Sequence, residues 1–354
     1  MITIYRGRAR MKWLVVAVAL GLAMPVSARD LAVPPDKGWK HAETGLILMP
    51  QLAGMSRTAL TDTTQTEHDV AAQYDTPDKS AFATIYLFHP AIADVSLWFD
   101  RSQTALETRE IFKNASPATA DPVAFAVGGA KAASSLRQVY ATPAGQYRST
   151  ALAVVPVGDW IVSVRMSAKA LTAVQLDARL QQVIAAIRWP TDVGTEAPAA
   201  APLKVCATPL TFGKAKLAKP DGADLLMSLM GSSLAAKKKT ETKSEPAVHT
   251  TWCRDGDART EYGMYRSDGA SSSYVLALYD AGRVVSVYPS IMGQINKTGV
   301  YSVSLEDVEG TVSAFQSFTA LPSPKQVWSL VGSGQRTGAK TGNQLPISPK
   351  AFSK

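Results

Sequence analysis

The chain has 354 residues, of which 46% are hydrophobic, so its length and apolar content suit two domains of ordinary size. Its formal charge of +8 is half local: residues 1–28 hold Arg6, Arg8, Arg10 and Lys12 and no acid, which leaves about +4 (8 − 4) for the remainder. A charge that mild gives no electrostatic reason to expect nucleic acid as a partner.

The N-terminal stretch reads as a secretory signal. Four basic residues precede an apolar run from Trp13 to Met24, and Val26-Ser27-Ala28 supplies the small residues that a signal peptidase reads. The run is roughly 12 residues, whereas a membrane span needs about 20. Cleavage is expected after Ala28, which makes Arg29 the mature N-terminus. A buried N-terminal helix is the competing reading, but cleavage-site chemistry follows the apolar run too closely for it. Met11-Lys12-Trp13 would open an ordinary signal as well, so the start lies at Met1 or Met11. No cysteine follows the cleavage site, so no lipid anchor is expected. The destination is periplasmic or secreted, with no transmembrane span in the mature chain.

Residues 29–192 predict an α+β sandwich domain. Thr44–Met49, Arg57–Thr61, His68–Asp75 and Ala81–Phe88 read as strands. From Ile92 to Phe112 the pattern turns helical, with Val95, Phe99, Leu106 and Ile111 near one face and Asp94, Asp100, Glu107 and Glu110 towards solvent. A loop at Asn114–Pro122 and a strand at Leu136–Thr142 follow. Tyr147–Val155 and Trp160–Met166 then form a hairpin around Pro156-Val157-Gly158-Asp159. Period-two alternation puts Trp160, Val162, Val164 and Met166 on one face and Ile161, Ser163 and Arg165 on the other. A closing helix carries Leu176, Leu180, Val183, Ile184 and Ile187 on one stripe, with Thr172 and Gln175 at capping-box spacing and Pro190 as its stop. The fold class is therefore α+β, an antiparallel sheet with packed helices.

The segments TGLILMPQLAGMSR, YDTP and ATIYLF, the first helix, and WIVSVRMSA closed by VIAAIRWP resemble the Mog1/PsbP/DcrB-like α/β/α sandwich over about residues 40–190. That group contains photosystem accessory subunits, a GTPase-binding protein and bacterial envelope proteins. The resemblance implies a non-enzymatic accessory or binding role and carries over no functional residue.

An Ala/Pro linker at 193–202 introduces a second, smaller, β-rich α+β domain over 203–331, expected to fold independently of the first. Asp221–Ala236 contains a helix, and Lys237–Pro246 reads as a solvated, charged loop. Strands are predicted at Tyr262–Arg266, Tyr274–Tyr279, Val284–Tyr288, Val300–Leu305 and Thr311–Phe318, with a turn at Asp280–Arg283 and a short helix at Pro324–Val331. The Gly/Ser/Lys-rich segment 332–354 reads as a disordered tail.

In an exported chain, Cys206 and Cys253 are expected to form a disulfide bond; the alternative, a catalytic thiol near His249, requires an unpaired thiol in an oxidising compartment. His41, His68, His89 and His249 are dispersed, without HExxH, His-x-His or CxxC spacing, so neither a metal nor a cofactor is predicted. No serine has a nucleophile frame, and Gly334–Thr341 fails the spacing of a phosphate loop. Arg254-Asp255-Gly256-Asp257, with Arg259 and Glu261, misses the pattern of a calcium loop at its third acidic position and reads as a hydrated turn. No catalytic residue is predicted. The reading is an exported soluble envelope protein, a non-catalytic accessory or binding module whose partner is an unknown envelope protein or small ligand. A structural factor gripping a membrane complex differs from this only in its partner. The alternative is an exported hydrolase with an unrecognised inter-domain site.

Overall fold

In the computed structural model, the structure describes residues 28–142, 145–191, 197–229, 250–342 and 344. The signal segment, the Lys237–Pro246 loop, His249, most of the 193–202 linker's first half and the end of the tail lie outside the described residues.

The first sheet has ten strands. Its N-terminal members are β1 (Arg29–Asp30), β4 (Gln51–Leu52), β5 (Met55–Asp62), β6 (Asp69–Asp75) and β7 (Ala81–Phe88). A separate two-strand ribbon, β2 (Trp39–Lys40) and β3 (Ile47–Leu48), replaces the longer strand expected from Thr44. After helix α1 (Val95–Glu107) come β8 (Ser116–Pro117), β9 (Val123–Phe125), β10 (Ser135–Ala141), β11 (Ser149–Val157) and β12 (Trp160–Ala168). The order is β1-β5-β6-β7-β12-β11-β10-β8, antiparallel throughout, with β4 on β5 and β9 on β10. Helix α2 (Ala173–Ala186) closes the unit through the expected Thr172/Gln175 capping box.

Both faces of this sheet are covered. Trp160, Val162, Val164 and Met166 pack with Leu176, Leu180, Val183, Ile184 and Ile187 of the α2 stripe, and Ile161 turns to the other face with Val154, Trp98 and Phe99. Pro156 lies inside β11, opposite Ile161, and the turn shrinks to Gly158-Asp159 with Gly158 at φ +62°. Proline is tolerated there because β10 ends opposite Val154, so no ladder donor is needed on that side.

Two helix ends fall short of expectation. Helix α1 stops at Glu107, and Glu110–Phe112 forms a 3₁₀ turn that leaves Ile111 47% exposed. Helix α2 stops at Ala186, before Pro190, because Arg188 turns extended and exchanges backbone hydrogen bonds with Ile47.

The second sheet runs β13 (Lys204–Val205), β14 (Trp252–Arg254), β15 (Tyr262–Ser267), β16 (Tyr274–Leu278), β17 (Arg283–Pro289), β18 (Tyr301–Glu306), β19 (Val312–Phe318) and β20 (Gly338–Lys340), in spatial order as in sequence. All pairs are antiparallel except β13 with β14. Residues 222–229 are helical (α3), and α4 (Ile291–Ile295) and α5 (Pro324–Gly332) complete the unit. The reading of 332–354 as wholly disordered is corrected: Gly338–Lys340 pairs with Val312–Ala314, satisfying the free edge of β19. Gly338 suits that place, since a Cβ there would stand 3.2 Å from Leu229.

The α+β class holds, with the second unit β-rich. The expected independence of the two units does not fit the core. Phe88, Trp98, Phe99 and Ile161 share one buried cluster with Tyr265, Val275, Ala277 and Val284 of the second sheet. The opposite face of that sheet, with Tyr274, Leu276, Val285 and Val303, packs on Val327 of α5. The layers are therefore α2, first sheet, α1, second sheet and α5, with α1 as the common filling. Among the described residues, no helix is long and apolar enough to cross a membrane.

Candidate functional site

The chemistry-bearing side chains gather where α1 meets the second sheet. Asp94 caps the helix by accepting from the Leu97 N–H at 2.8 Å. About a turn and a half in, Asp100 and Arg101 are consecutive and both buried, at 8% and 0% exposure. Arg254 Nη1 donates to Asp100 Oδ1 at 2.7 Å and the Tyr265 hydroxyl donates to Oδ2 at 2.6 Å. Burial, then the Asp100 charge, pushes the Tyr265 phenol well up, which keeps it a donor. Among the described residues, Arg101 makes no carboxylate pair. Its Nε donates to the Tyr279 carbonyl at 2.6 Å, Nη1 to that of Arg259 at 3.0 Å and Nη2 to that of Thr260 at 2.9 Å. Burial pulls the guanidinium down from its ordinary value, opposed by Tyr265 and Asp100.

This corrects two readings. Asp100 does not face solvent; it anchors the junction, while Glu107 and Glu110 remain exposed. The Arg254–Asp257 segment is not simply a hydrated turn, because Arg254 binds Asp100 and Asp255 is buried against Arg266 at 2.8 Å. Asp255 Oδ2 also accepts from the Leu210 N–H at 2.9 Å. Adjacent to it, Cys206 and Cys253 form the expected disulfide, with Cα atoms 5.0 Å apart, tying β13 to β14.

Further contacts seal the seam. Arg165 pairs with Asp280 and lies 5.4 Å over the Tyr86 ring, and burial pulls its guanidinium down to about 10. Gly282, at φ +77°, brings the β16–β17 turn so close that a Cβ would stand 2.8 Å from Val308 and 2.9 Å from Phe88. Ala91 N–H donates to the Gly282 carbonyl at 2.9 Å.

Beside the clamp lies an open groove of about 440 Å³, lined by Thr104, Glu107 and Thr108 of α1 and by Val205, Arg254 and Asp257 of the second unit. Val205 is 65% exposed there, an apolar side chain on a sheet edge. Arg254 enters the wall already fixed at one end by Asp100, and its Nε has no hydrogen-bond partner. The groove thus offers one buried donor, two carboxylates, two hydroxyls and an apolar rim.

Three of the dispersed histidines converge elsewhere on the seam. His41, His68 and His89 stand with ring centroids 4.5, 5.3 and 5.0 Å from Trp160. Among the described residues, no group of three or more histidines, cysteines or carboxylates is placed to hold a metal ion. The ladders account for part of this convergence, which sequence reading missed: Asp69 and Ile161 both face Phe88, so the next positions outward are His68, His89 and Trp160. His41 arrives from the separate ribbon and left no such signal. Sequence reading also missed Asp224 of α3, buried with the hydroxyls of Ser290, Ser302 and Ser317, the last donating at 2.6 Å. No protein-family model, curated protein or solved structure matches the chain.

Proposed function

We propose that the chain is an exported, non-catalytic binding module of the bacterial envelope, periplasmic after loss of residues 1–28, that receives a partner or small ligand in the groove between α1 and the β13–β14 edge. The observation that carries the reading is how the buried charges at the junction are used. Between the two units, Asp100 is engaged by Arg254 and Tyr265, Arg101 by three carbonyls and Asp280 by Arg165. Groups spent in this way hold two sheets together; nucleophilic or acid–base catalysis needs a group poised for a substrate and oriented by a neighbour. What supports export is the disulfide. What supports kinship with the Mog1/PsbP/DcrB-like sandwiches is the first sheet's layering, with α2 on one face and α1 on the other.

The test pairs cross-linking capture from envelope extract with a turnover screen against ester, peptide and glycoside substrates. A partner captured by the wild type and lost in Val205→Arg and Glu107→Arg, with no turnover, supports binding. Turnover that disappears in Glu107→Gln or Asp257→Asn would establish the hydrolase instead.

A further inference from the structure

We propose that His41, His68 and His89, packed round Trp160, form a proton-operated latch on the seam between the two sheets, which mild acidification opens. The site is independent of the groove. Its geometry comes first. His41 is buried, with Nδ1 within 2.9 Å of the Thr44 hydroxyl and its ring 5.5 Å from Trp39. His68 and His89 are half-buried, with ring centroids 5.6 Å apart. The Nδ1 of His68 is buried without a hydrogen-bond partner, while its Nε2 lies 2.9 Å from Glu43 Oε1. Protons arriving here place up to three like charges round one indole, whose weak attraction for each cation does not remove their mutual repulsion.

The surrounding charges do not balance that. Glu43 pairs with His68, and its charge also favours the charged forms of His41 and, more weakly, His89, as that of Asp62 does for His41. Asp62 is engaged by Arg29 at 2.9 Å and by Thr64, and Asp69 lies 3.9 Å from Arg283. Asp159 faces His89, and backbone carbonyls of Glu67 and Val308 face His41 and His89 and favour their charged forms. Burial outweighs these in both, and the His68 charge adds to it, so His41 and His89 titrate below the ordinary 6.5. The sign follows. The opened form binds these protons more readily, so the seam is fully closed above about pH 6.5 and weakens as pH falls through that value towards the folded-state pKa values.

The latch lies on the seam because His89 leads into Pro90 and Ala91, which meet Gly282, and because Val308, which faces His89, belongs to the turn between β18 and β19. On the same seam Thr66 donates to Glu309 at 3.4 Å and Asp69 reaches Arg283.

The experiment is amide hydrogen exchange on the full chain, corrected for the intrinsic effect of pH, read at Ala91. Between about pH 7.5 and about pH 5.5, Ala91 exchange in the wild type should speed by about tenfold, the factor that 1.4 kcal/mol of opening represents. His89→Gln, whose amide can still donate to the Val308 carbonyl, should reduce this to about threefold, the share left to His41. Imidazole NMR on the wild type supplies the second readout: two histidines should titrate below the ordinary range, coincident with the exchange change. Exchange at Ala91 that ignores pH, or that accelerates equally in His89→Gln, overturns the latch, as does ordinary titration of His41 and His89.

Discussion

Replacing Arg101 with methionine isolates the junction's strongest contact. The methionine stem retains most of the packing volume, so the change removes three hydrogen bonds and one buried charge. The carbonyls of Tyr279, Arg259 and Thr260 lose their donor. Each orphaned acceptor costs about 1–3 kcal/mol, for a gross loss of about 3–9 kcal/mol. Relief from burying the guanidinium returns part of that, because desolvation is the largest influence on this group. A net destabilisation of about 3–5 kcal/mol is expected, at the upper end for a single substitution. Urea unfolding followed by tryptophan fluorescence and by circular dichroism measures it, with the exposed Glu110→Gln as a control expected within about 0.5 kcal/mol of wild type. The two probes should coincide in the wild type and separate in Arg101→Met, as the sheets lose their common clamp. A loss below about 1 kcal/mol with coincident probes would refute the claim that Arg101 holds the seam.

Cys206→Ser should lose about 4 kcal/mol by the chain-entropy account of a 47-residue separation, and reductant should lower the wild type to the same level in a denaturant titration. Gly282→Ala forces a side chain into positive φ and against Val308 and Phe88, so a fall of about 2 kcal/mol or more is expected in thermal melts; a neutral result would deny the close approach. Fragment 29–192, lacking the second sheet, should expose Trp98 and Ile161 and bind a hydrophobic dye; a cooperative, dye-free melt would contradict the shared core.

The first sheet was legible because its strands alternate. Trp160, Val162, Val164 and Met166 took the predicted face, and α2 took its predicted stripe and cap. The strands of the second sheet from Tyr262 to Phe318 were legible for the same local reason, whereas their order in the sheet comes from the structure, where each strand pairs with the next in sequence. Contacts between the units have no such period. Asp100 and Arg101 occupy helix positions that amphipathic spacing assigns to water, and what buries them arrives more than 150 residues later, with separations of 154 and 158 to Arg254 and Arg259. A polar residue facing a second layer reads in sequence like one facing solvent. The expectation of independence failed in the same way, because a Pro/Ala composition break is a local feature and does not tell whether the apolar faces on either side of it are buried against each other.

The clamp and the groove share one helix face. Asp100, Thr104 and Thr108 are spaced i, i+4, i+8 on α1 and its C-cap, so they stack along one stripe. Asp100 fixes that stripe against β14 and β15, while Arg101, about 100° further round the helix, fixes its rotation against the turns at 259–260 and 279. Two anchors at different azimuths leave α1 neither free to roll nor to slide. The Thr104–Thr108 wall of the groove therefore stands at a set distance from Val205 and Asp257. A rigid, open cleft formed in this way costs a partner little reordering on binding, and that is where preorganisation favours affinity over turnover.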